Sequence, residues 1–405
     1  MSQVDSVFSN FDIDLSDQKT RRAFIRKTLI SGIQNVHTPF ALCSEMIKKL
    51  EENIEKSENI KDKDILVLFN IEFVEVMISE FGISPDKITY FSDSKGKSGF
   101  AKYIYKVKGI IDVGDNVLET LEKVSKNMKF DCVVMNPPYQ TPTENKGSGH
   151  TLWDGFVRKA FEITKDDGCI CAVHPCGWRR ISGSFLSLGN EMRNKNIRYI
   201  EIHDITDGQK TFGVCTRYDW YVMQNCKNQG DKTTIIGDDG AKTEIDLTSV
   251  ACIPNGQFDK IFNILAKNTS DKVEIVFDRS NYGADKKWVN ENEDNTFKYP
   301  CIYSLPQKGM QLRWSSINTK GHFGIPKVIT SYGACPQVVI DKKGEYGLTQ
   351  WAFGIADDVK NLPKIKAALE SPEFIELCKS MRFTLDRYDP NFISGLKKDF
   401  WKEFV

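Results

Sequence analysis

The sequence predicts an α/β fold, with a sheet built of βαβ units followed by a domain of mixed α+β structure. Three observations carry this prediction. At 405 residues the chain is too long for one typical domain. Short apolar runs recur roughly every twenty residues in the first half, which is the rhythm of βαβ units. From Cys226 the sequence turns polar and rich in Gly and Asp, which indicates a domain boundary near Asp246.

The predicted elements follow in order along the chain. The first four strands are short apolar runs, at Asp64–Phe69, Lys87–Phe91, Lys108–Val113 and from Phe130 onward. A helix is predicted after them because apolar residues recur at helical spacing between Trp153 and Ile163. Three further strands are predicted at Gly168–Pro175, Ile197–Ile205 and Arg217–Asn225. Beyond the boundary the pattern is mixed and ends in helical stretches such as Ser371–Phe383.

Composition bounds the class of protein. The formal net charge is +0, so the whole molecule shows no general preference for a polyanion. No apolar run is long enough to cross a bilayer and the polar first residues lack a signal peptide, so we expect a cytoplasmic protein without a membrane partner. The 11 cysteines lie scattered, often in apolar runs, as reduced core residues do. No metal site is predicted, because the cluster from Cys169 to Cys176 lacks a CxxC pair.

The stretch FDCVVMNPPYQ, Phe130 to Gln140, begins with the apolar residues of a buried strand and continues into two prolines, which a strand does not accommodate. Pro137 and Pro138 remove two backbone donors and fix φ, so the strand must stop there and leave rigid backbone beyond its end. Ligands of open parallel sheets bind at that edge. An ordinary strand-ending turn is the alternative use of such a proline pair, and the surrounding sequence has to decide.

The surrounding motifs resemble those of γ-class N6-adenine DNA methyltransferases from restriction–modification systems. The resemblance covers Gln34 to Asn225, through HTPFALCSEMI, a strand, acidic strand ends, NPPY, HPCGW and TFGVCTRYDWYVM. NPPY is its most specific element. The resemblance implies a Rossmann-like class I methyltransferase sheet with a C-terminal target-recognition domain. We therefore expect an N-terminal helical segment at 1–36, an S-adenosylmethionine-dependent methyltransferase domain at 37–245 and a DNA-binding domain at 246–405.

The resemblance implies that the tetrapeptide is catalytic, with contributions from Asn136, Pro137, Pro138 and Tyr139. The side-chain oxygen of Asn136 and the carbonyl of Pro137 would accept both N6 hydrogens of adenine and offset the positive charge that develops during methyl transfer. The prolines would keep that carbonyl aimed without competing donors. Tyr139 would stack on an adenine rotated out of the duplex, and Phe212 resembles a second aromatic against that base.

The same resemblance implies S-adenosylmethionine as the cofactor. Thr38 and Pro39 match the segment that closes over its methionine end. Asp93 matches the acid that holds the ribose hydroxyls, and Asp112 or Asp115 matches the acid that reads its adenine amino group. The predicted cofactor-binding residues are Thr38, Pro39, Phe69, Asn70, Phe73, Asp93, Asp112, Asp115 and Asn136.

One stretch departs from the family pattern. The family normally carries a glycine-rich turn after the first strand, whereas Val67 to Met77 reads VLFNIEFVEVM and contains no glycine. Asn70 is able to tolerate the left-handed conformation that a turn of this kind can require. Phe73 stands where the family often has an aromatic residue. The turn after the first strand is therefore the part of the cofactor site in which this sequence differs from the family.

Two segments are candidates for contact with double-stranded DNA. Between Cys301 and Ile340 basic residues alternate with aromatic ones and acids are absent, so Lys308, Arg313 and Trp314 are predicted to contact the duplex, with Lys320 and Lys327 adding charge. A solvated face over an aromatic core is the alternative. The polar loop Thr141–His150 follows the tetrapeptide and is predicted to order over the flipped nucleotide.

The sequence thus predicts a site-specific DNA adenine-N6 methyltransferase, acting as a monomer, with a cognate restriction endonuclease among the partners that the resemblance implies. Two alternatives stay open. One is an N-methyltransferase for protein glutamine or RNA, since NPPY occurs in such enzymes too. The other is a methyltransferase-like DNA-binding protein that has lost the cofactor, as the missing glycines would allow. A fused nuclease finds no room, because the two expected domains use nearly the whole chain.

Overall fold

The structure is a computed structural model that describes residues 15–29, 36–54, 58–114, 116–141, 150–333, 335–383 and 388–405. The chain forms two compact units. The N-terminal unit comprises Met1–Arg179 and Ser184–Ala251, and the C-terminal unit comprises Arg180–Gly183 and Cys252–Val405. The division falls a few residues beyond the boundary expected at 245/246.

The N-terminal unit is built on one sheet. Its strands are β1 Ile65–Leu68, β2 Ile88–Ser92, β3 Gly109–Asp112, β4 Phe130–Met135, β5 Thr164–Pro175, β6 Lys195–His203, β7 Tyr218–Lys227, β8 Thr233–Ile236 and β9 Lys242–Ile245. Their order is β3-β2-β1-β4-β5-β7-β6-β8-β9. Strands β1 to β5 are parallel, and β7 runs antiparallel between β5 and β6. This sheet confirms the predicted Rossmann-like class I methyltransferase fold.

Helices cover both faces of the sheet, because its central strands are buried on both sides. Every residue of β1 is buried, which is typical of a parallel strand in the middle of an α/β sheet. The helices are α1 Gln18–Thr28, α2 Phe40–Asn53, α3 Ile71–Ser79, α4 Lys95–Tyr103, α5 Val117–Asn127, α6 Trp153–Ile163, α7 Leu186–Arg193 and α8 Ile205–Phe212. One apolar core joins α1, α2, α3 and α4 to the first face of the sheet, while α6 packs on β4 and β5.

The strand order creates a switch point between β1 and β4. From β1 the chain proceeds outward to β2 and β3, and it then returns to place β4 on the other side of β1. The last residues of the two strands, Leu68 and Met135, lie side by side in register. Ligands of open α/β sheets bind beyond the carboxyl ends of the strands at such a point. The segments that follow β1 and β4 are therefore the place to look for a site.

The C-terminal unit has the predicted mixed α+β structure. Its two four-stranded sheets have the orders β10-β17-β14-β15 and β11-β13-β12-β16. The strands are β10 Glu274–Val276, β11 Val289–Asn290, β12 Tyr299–Ser304, β13 Gln311–Ser315, β14 Lys327–Ser331, β15 Val339–Asp341, β16 Gly347–Leu348 and β17 Ala352–Ala356. The helices are α9 Phe258–Ile264, α10 Arg279–Tyr282, α11 Leu362–Glu370, α12 Pro372–Ser380 and α13 Pro390–Ser394.

Two expectations can be compared with part of the chain, because the structure does not describe every residue. Of the N-terminal helical segment expected at 1–36, the described part contains α1, while residues 1–14 and 30–35 lie outside the described residues. Within the described ranges, no helix combines the length and the apolar character that crossing a bilayer requires.

Candidate active site

The tetrapeptide lies at the carboxyl edge of the sheet, directly after β4. This strand forms because Val133, Val134 and Met135 are apolar and fully buried between the two helical layers. It ends at Asn136 because Pro137 and Pro138 can donate no backbone hydrogen bond to a neighbour. Asn136 is 0% exposed, although its side chain is polar. A buried amide at a strand end must be held by partners, and these define the site.

The amide of Asn136 is held by Thr38, from the segment before α2. The Nδ2 group of Asn136 donates to Thr38 Oγ1 at 3.0 Å. The Nδ2 group of Asn70, at the end of β1, donates to the same oxygen at 3.1 Å. Thr38 is itself 0% exposed, and the adjoining Pro39 caps the start of α2. Three predicted site residues from three separate segments thus meet at one buried oxygen.

Tyr139 completes the tetrapeptide with an aromatic ring. Its hydroxyl is buried and has no hydrogen-bond partner among the described residues. Burial, and secondarily the nearby Asp219 carboxylate, raise the pKa of Tyr139. The phenol group of Tyr139 is thus kept neutral. The backbone carbonyl of Tyr139 accepts from Leu152 N at 3.1 Å, which fixes the backbone that follows the prolines.

The loop after the tetrapeptide can be described only at its two ends. Thr141 N donates to the His150 carbonyl at 2.9 Å, and Gln140 pairs with Thr151 in a β-bridge. The predicted ordering of Thr141–His150 over a nucleotide rests on residues 142–149, which lie outside the described residues.

The turn after β1 contains a residue in the left-handed conformation. The left-handed residue is Phe69, with φ of 67°, and Asn70 has an ordinary φ of −90° as the residue before α3. Phe69 rather than Asn70 thus supplies the left-handed conformation of this turn. The main chain of Phe69 is fixed on both sides, since its N–H donates to the Phe91 carbonyl at 2.8 Å and its carbonyl accepts from Tyr90 Oη at 2.6 Å. These two bonds offset the cost of a left-handed conformation in a residue other than glycine.

The aromatic side chains of this turn are part of the core. The Phe69 ring packs edge-on against Phe91 at 5.5 Å and against Phe156 at 5.3 Å between centroids. Phe73, one turn into α3, is 0% exposed in the core cluster of the first face. The turn contains no glycine, and the Phe69 side chain that takes its place is packed in the core.

The predicted cofactor acids follow the ends of the next two strands. Asp93 comes directly after β2, and its side chain is 0% exposed and paired with Lys97 Nζ at 2.9 Å. Asp112 ends β3, is exposed, and accepts a hydrogen bond from Ser98 Oγ. Asp115 lies outside the described residues. The structure thus brings Asp93 and Asp112 to the same edge as Asn136, with a lysine already beside the buried acid.

Phe212 is the last residue of α8, which ends at Gly213 in the left-handed conformation with φ of 72°. Its ring packs edge-on against Tyr218 at 4.9 Å, and Tyr218 stacks on His203 at 4.4 Å. Phe212 is 9% exposed and belongs to the same core cluster as Tyr218. It is therefore a core residue with an edge at the surface.

Sequence reasoning missed Asp219 on β7. Its Oδ2 accepts from Arg179 Nε at 2.7 Å and from Trp178 Nε1 at 3.1 Å, and all three side chains are buried. Its Oδ1 has no partner within the described ranges. Desolvation raises the pKa of Asp219, while the charge and hydrogen bond of Arg179 oppose that rise. The signal was present in the arginine of GWRR and the acid of RYDW, but only the pairing of β5 with β7 brings them together.

The structure of the C-terminal unit changes which of the residues predicted to contact DNA are able to do so. Lys308 is exposed, Trp314 is partly buried on β13, and Arg313 lies over the Tyr303 ring at 4.5 Å while pairing with Glu291 at 2.9 Å. Lys327 cannot contact a phosphate, because its Nζ is buried and bonded to Asp341 Oδ2 at 2.8 Å. The expectation that Lys327 adds surface charge was wrong.

A metal-based chemistry finds no ligand set in the part of the chain that the structure describes, where no group of three or more His, Cys, Asp or Glu side chains could hold an ion. The nearest candidate, His174, stacks on Trp153 at 4.4 Å and lies 3.2 Å from Tyr221 Oη through its Nε2. It is a satisfied core histidine.

The N-terminal unit thus combines a class I methyltransferase fold with a buried polar site at the carboxyl edge of its sheet. The Eco57I restriction-modification methylase family matches residues 11–212. Through these residues the chain is similar to that family. The match spans the segment before α2, the turn after β1 and the tetrapeptide, and it ends at Phe212.

Two of the solved structures with a similar fold are complexes with DNA. The DrdV–DNA complex matches with a TM-score of 0.50 at 10% identity, over 96% of this chain and 59% of that one. A nuclease-deletion mutant of the Type ISP restriction-modification enzyme LlaGI, in complex with a DNA substrate mimic, also gives 0.50 at 10% identity, over 95% and 55%. At these identities the likeness shows the fold alone.

A further match is the type I restriction-modification methyltransferase subunit from Streptococcus thermophilus, with a TM-score of 0.42 and 14% identity over 64% of this chain. The present chain spans 59% of the length of that subunit. A comparison with curated proteins finds no match.

Proposed function

We propose that the protein is a site-specific DNA adenine-N6 methyltransferase that acts on an adenine flipped out of the duplex. The observation that carries this proposal is the buried amide of Asn136, held by Thr38 at the switch point of the sheet and followed by two prolines and an aromatic ring. An amide buried at a ligand-binding edge costs free energy unless it is hydrogen-bonded, so a role at that edge explains why it is there.

The tetrapeptide supplies what an exocyclic amine needs. The lone pair of adenine N6 is delocalised into the ring, which makes the amine a poor nucleophile. The Oδ1 atom of Asn136 and the Pro137 carbonyl accept its two hydrogens and favour a tetrahedral nitrogen as positive charge develops. Pro138 adds no competing N–H donor beside that carbonyl. The base can be reached by the enzyme only when it is rotated out of the duplex. The ring of Tyr139 stacks on one face of this flipped base, and the exposed edge of Phe212 contacts its other face.

The residues at the same edge fit S-adenosylmethionine, which supplies an electrophilic methyl group on a sulfonium when bound. Asp93 offers a buried carboxylate for the ribose hydroxyls, and Asp112 offers an exposed one at the next strand end for the adenine amino group. The left-handed Phe69 makes the tight turn that glycines make elsewhere in the family. Thr38, Pro39, Asn70 and Phe73 border the same edge.

A label-transfer assay tests the proposal. The protein is incubated with S-adenosylmethionine that carries a tritiated methyl group and with mixed-sequence duplex DNA, total RNA or a protein extract in parallel. We expect tritium in the duplex alone. Label in RNA or in protein, with none in DNA, would point instead to an N-methyltransferase for RNA or protein glutamine.

A second candidate is a methyltransferase-like DNA-binding protein without cofactor. The contact between Asp93 and Lys97 favours it, because that lysine occupies the acid on which ribose binding depends. Calorimetric titration with S-adenosylmethionine separates the two candidates. Binding at micromolar to submillimolar concentration supports the enzyme, whereas a folded protein that binds DNA but no cofactor at millimolar concentration supports the second candidate.

We also propose that the C-terminal unit recognises the target sequence. Support comes from the exposed Lys308 and from Arg313, which reaches over Tyr303 with its guanidinium group. Trp314 adds a partly buried aromatic surface beside them. In this proposal the protein acts on DNA as a monomer, and a cognate restriction endonuclease does not cleave the sites that it has methylated.

A further inference from the structure

The hydroxyl of Thr38 joins three segments that the sheet brings together. It lies in the segment before α2, while its two partners follow β1 and β4. Thr38, Asn70 and Asn136 are 0%, 2% and 0% exposed, so water cannot replace any of their hydrogen bonds. The neighbouring His37 anchors the same segment, since its Nδ1 lies 2.5 Å from Glu72 Oε1 on α3.

In the structure the Thr38 oxygen faces the nitrogen of both amides. The Nδ2 group of Asn70 also faces the Val36 carbonyl at 3.5 Å, and a carbonyl can only accept. The nitrogen of Asn70 is therefore on the side of Thr38, whose oxygen accepts from it at 3.1 Å. A hydroxyl oxygen has two lone pairs, and the second one accepts from Asn136 Nδ2 at 3.0 Å.

This orientation matters for the chemistry of the amine. With its nitrogen turned to Thr38, the amide of Asn136 presents Oδ1 on its other side. An amide rotated by half a turn would present N–H groups to the N6 amine, so two donors would face each other. Removal of the acceptor on Thr38 takes a hydrogen bond from this orientation, and only this orientation supports methyl transfer.

We infer that Thr38 is a positioning residue for the methylation, whose hydroxyl oxygen holds the Asn136 amide with Oδ1 toward the substrate amine. This inference rests on the proposed function and names a role for Thr38 different from binding the methionine end of the cofactor. A positioning role predicts that only a side chain with an acceptor of the same reach, such as serine, can replace it.

The decisive substitution is Thr38→Val, which keeps the shape and removes the acceptor. The single-turnover methylation rate should fall roughly tenfold to a hundredfold, the effect of losing one buried hydrogen bond to the reacting group. The dissociation constants of S-adenosylmethionine and of duplex DNA should change little. Thr38→Ser should recover most of the rate. Thr38→Cys, with a weakly accepting thiol of similar size, serves as the second variant if valine prevents folding.

A matched control is Thr233→Val on β8. Thr233 is also 0% exposed, and its Oγ1 donates to the Ile197 carbonyl at 2.6 Å, away from the carboxyl ends of β1 and β4. This variant loses a buried hydroxyl with the same change of shape, so it reports what loss of stability alone does to the rate. We expect a wild-type rate from the fraction that is folded.

A double-mutant cycle identifies the residue through which Thr38 acts. On an Asn136→Ala background Thr38→Val should cause no further loss of rate, because the amide that it positions is gone. A loss of the same size on both backgrounds, or a weakened affinity for S-adenosylmethionine, would overturn the inference and return Thr38 to the cofactor site.

Nuclear magnetic resonance gives a readout that does not need activity. In protein labelled with ¹⁵N-asparagine, the side-chain amide signal of Asn136 is identified by its loss in Asn136→Ala. Thr38→Val should shift and broaden that signal, while Thr233→Val should leave it in place. An unmoved signal overturns the inference even in an active enzyme, and a moved signal supports the positioning contact even if the protein methylates no DNA and the proposed function fails.

Discussion

At the scale of single residues, the site separates an acceptor from a stacking surface. Asn136 is held by a hydrogen bond on its nitrogen side, whereas Tyr139 is held by its backbone and by burial of its hydroxyl. The two residues should therefore fail in different ways when they are replaced. Loss of an acceptor acts on the transition state, and loss of a ring acts on capture of the base.

Tyr139 gives the first prediction at this scale. Tyr139→Ala removes a stacking surface worth about 1–3 kcal/mol per base, so it should weaken binding of a duplex with an unpaired target adenine and lower turnover as well. Tyr139→Phe keeps the ring and removes a hydroxyl that has no partner in the described part of the chain, so most of the activity should remain. Fluorescence of 2-aminopurine at the target position measures base capture. Equal capture by the alanine and phenylalanine variants would contradict the stacking role.

His174 gives a prediction about pH. Burial lowers the pKa of His174 to about 4, below its ordinary value of 6.5. The unfolded chain therefore binds more protons between these two values, and the free energy of unfolding should decrease as pH falls through that window, by about 3 kcal/mol from this residue. Urea denaturation at pH 7 and at pH 4.5 measures the decrease.

The control for this pH effect is the difference between two variants. His174→Gln should show a smaller decrease than the wild type between the two pH values, although it starts less stable. His150→Gln, at an exposed position, should keep the wild-type decrease. An unchanged decrease in His174→Gln would mean that other groups cause the acid sensitivity.

At the scale of elements, the turn between β1 and α3 and the start of α4 decide whether a cofactor can bind. The turn owes its shape to a left-handed Phe69 that the next strand holds by hydrogen bonds, and α4 places Lys97 beside Asp93. Ribose hydroxyls have to compete with this lysine for the carboxylate. Binding of the cofactor therefore depends on a few side chains in these two elements.

Asp93→Ala tests this edge. We expect the wild-type protein to bind S-adenosylmethionine and the variant to bind it more weakly by about 1–3 kcal/mol, the cost of losing a buried acceptor. Isothermal titration calorimetry gives both affinities. Asp86→Ala removes an acid whose side chain is 62% exposed, near the start of β2, and should bind like the wild type. Equal affinity of the Asp93 variant would remove that acid from the cofactor site.

The strands of the C-terminal unit give a prediction about DNA. Charge reversal of Lys308 and Arg313 together should weaken duplex binding and flatten its dependence on salt, while the affinity for S-adenosylmethionine stays unchanged. Fluorescence anisotropy at several salt concentrations measures both effects. Lys360→Glu, whose side chain is 79% exposed elsewhere in the same unit, is the matched control. If the double reversal binds like this control, the segment is only a solvated face.

At the scale of the whole molecule, the sequence predicted what depends on local pattern. The apolar runs around β1, β2, β4 and β5 predicted their strands correctly, because a strand buried on both faces needs a continuous apolar run. The end of β4 before Pro137 was predicted from the backbone donors that the prolines lack. The mixed α+β structure of the second unit was predicted from its mixed sequence pattern.

What the sequence did not predict depends on contacts between distant segments. Lys327 stands in a run without acids, yet antiparallel pairing of β14 with β15 places it directly opposite Asp341, one residue beyond that run. Arg313 likewise meets Glu291 from outside the run. The left-handed conformation went to Phe69 rather than Asn70 because hydrogen bonds from β2 outweigh the local preference. Pairing across the sheet, rather than composition, decided each case.

The central claim is that the buried amide of Asn136 activates adenine N6 in DNA. The most direct test is mass spectrometry of the nucleosides released from mixed-sequence duplex after incubation with S-adenosylmethionine and either wild-type or Asn136→Ala protein. The account predicts N6-methyladenine from the wild type, and a yield lower by roughly a hundredfold or more from a variant that still binds DNA and cofactor. Wild-type amounts of N6-methyladenine from Asn136→Ala, or a methylated base other than adenine from the wild type, would contradict it.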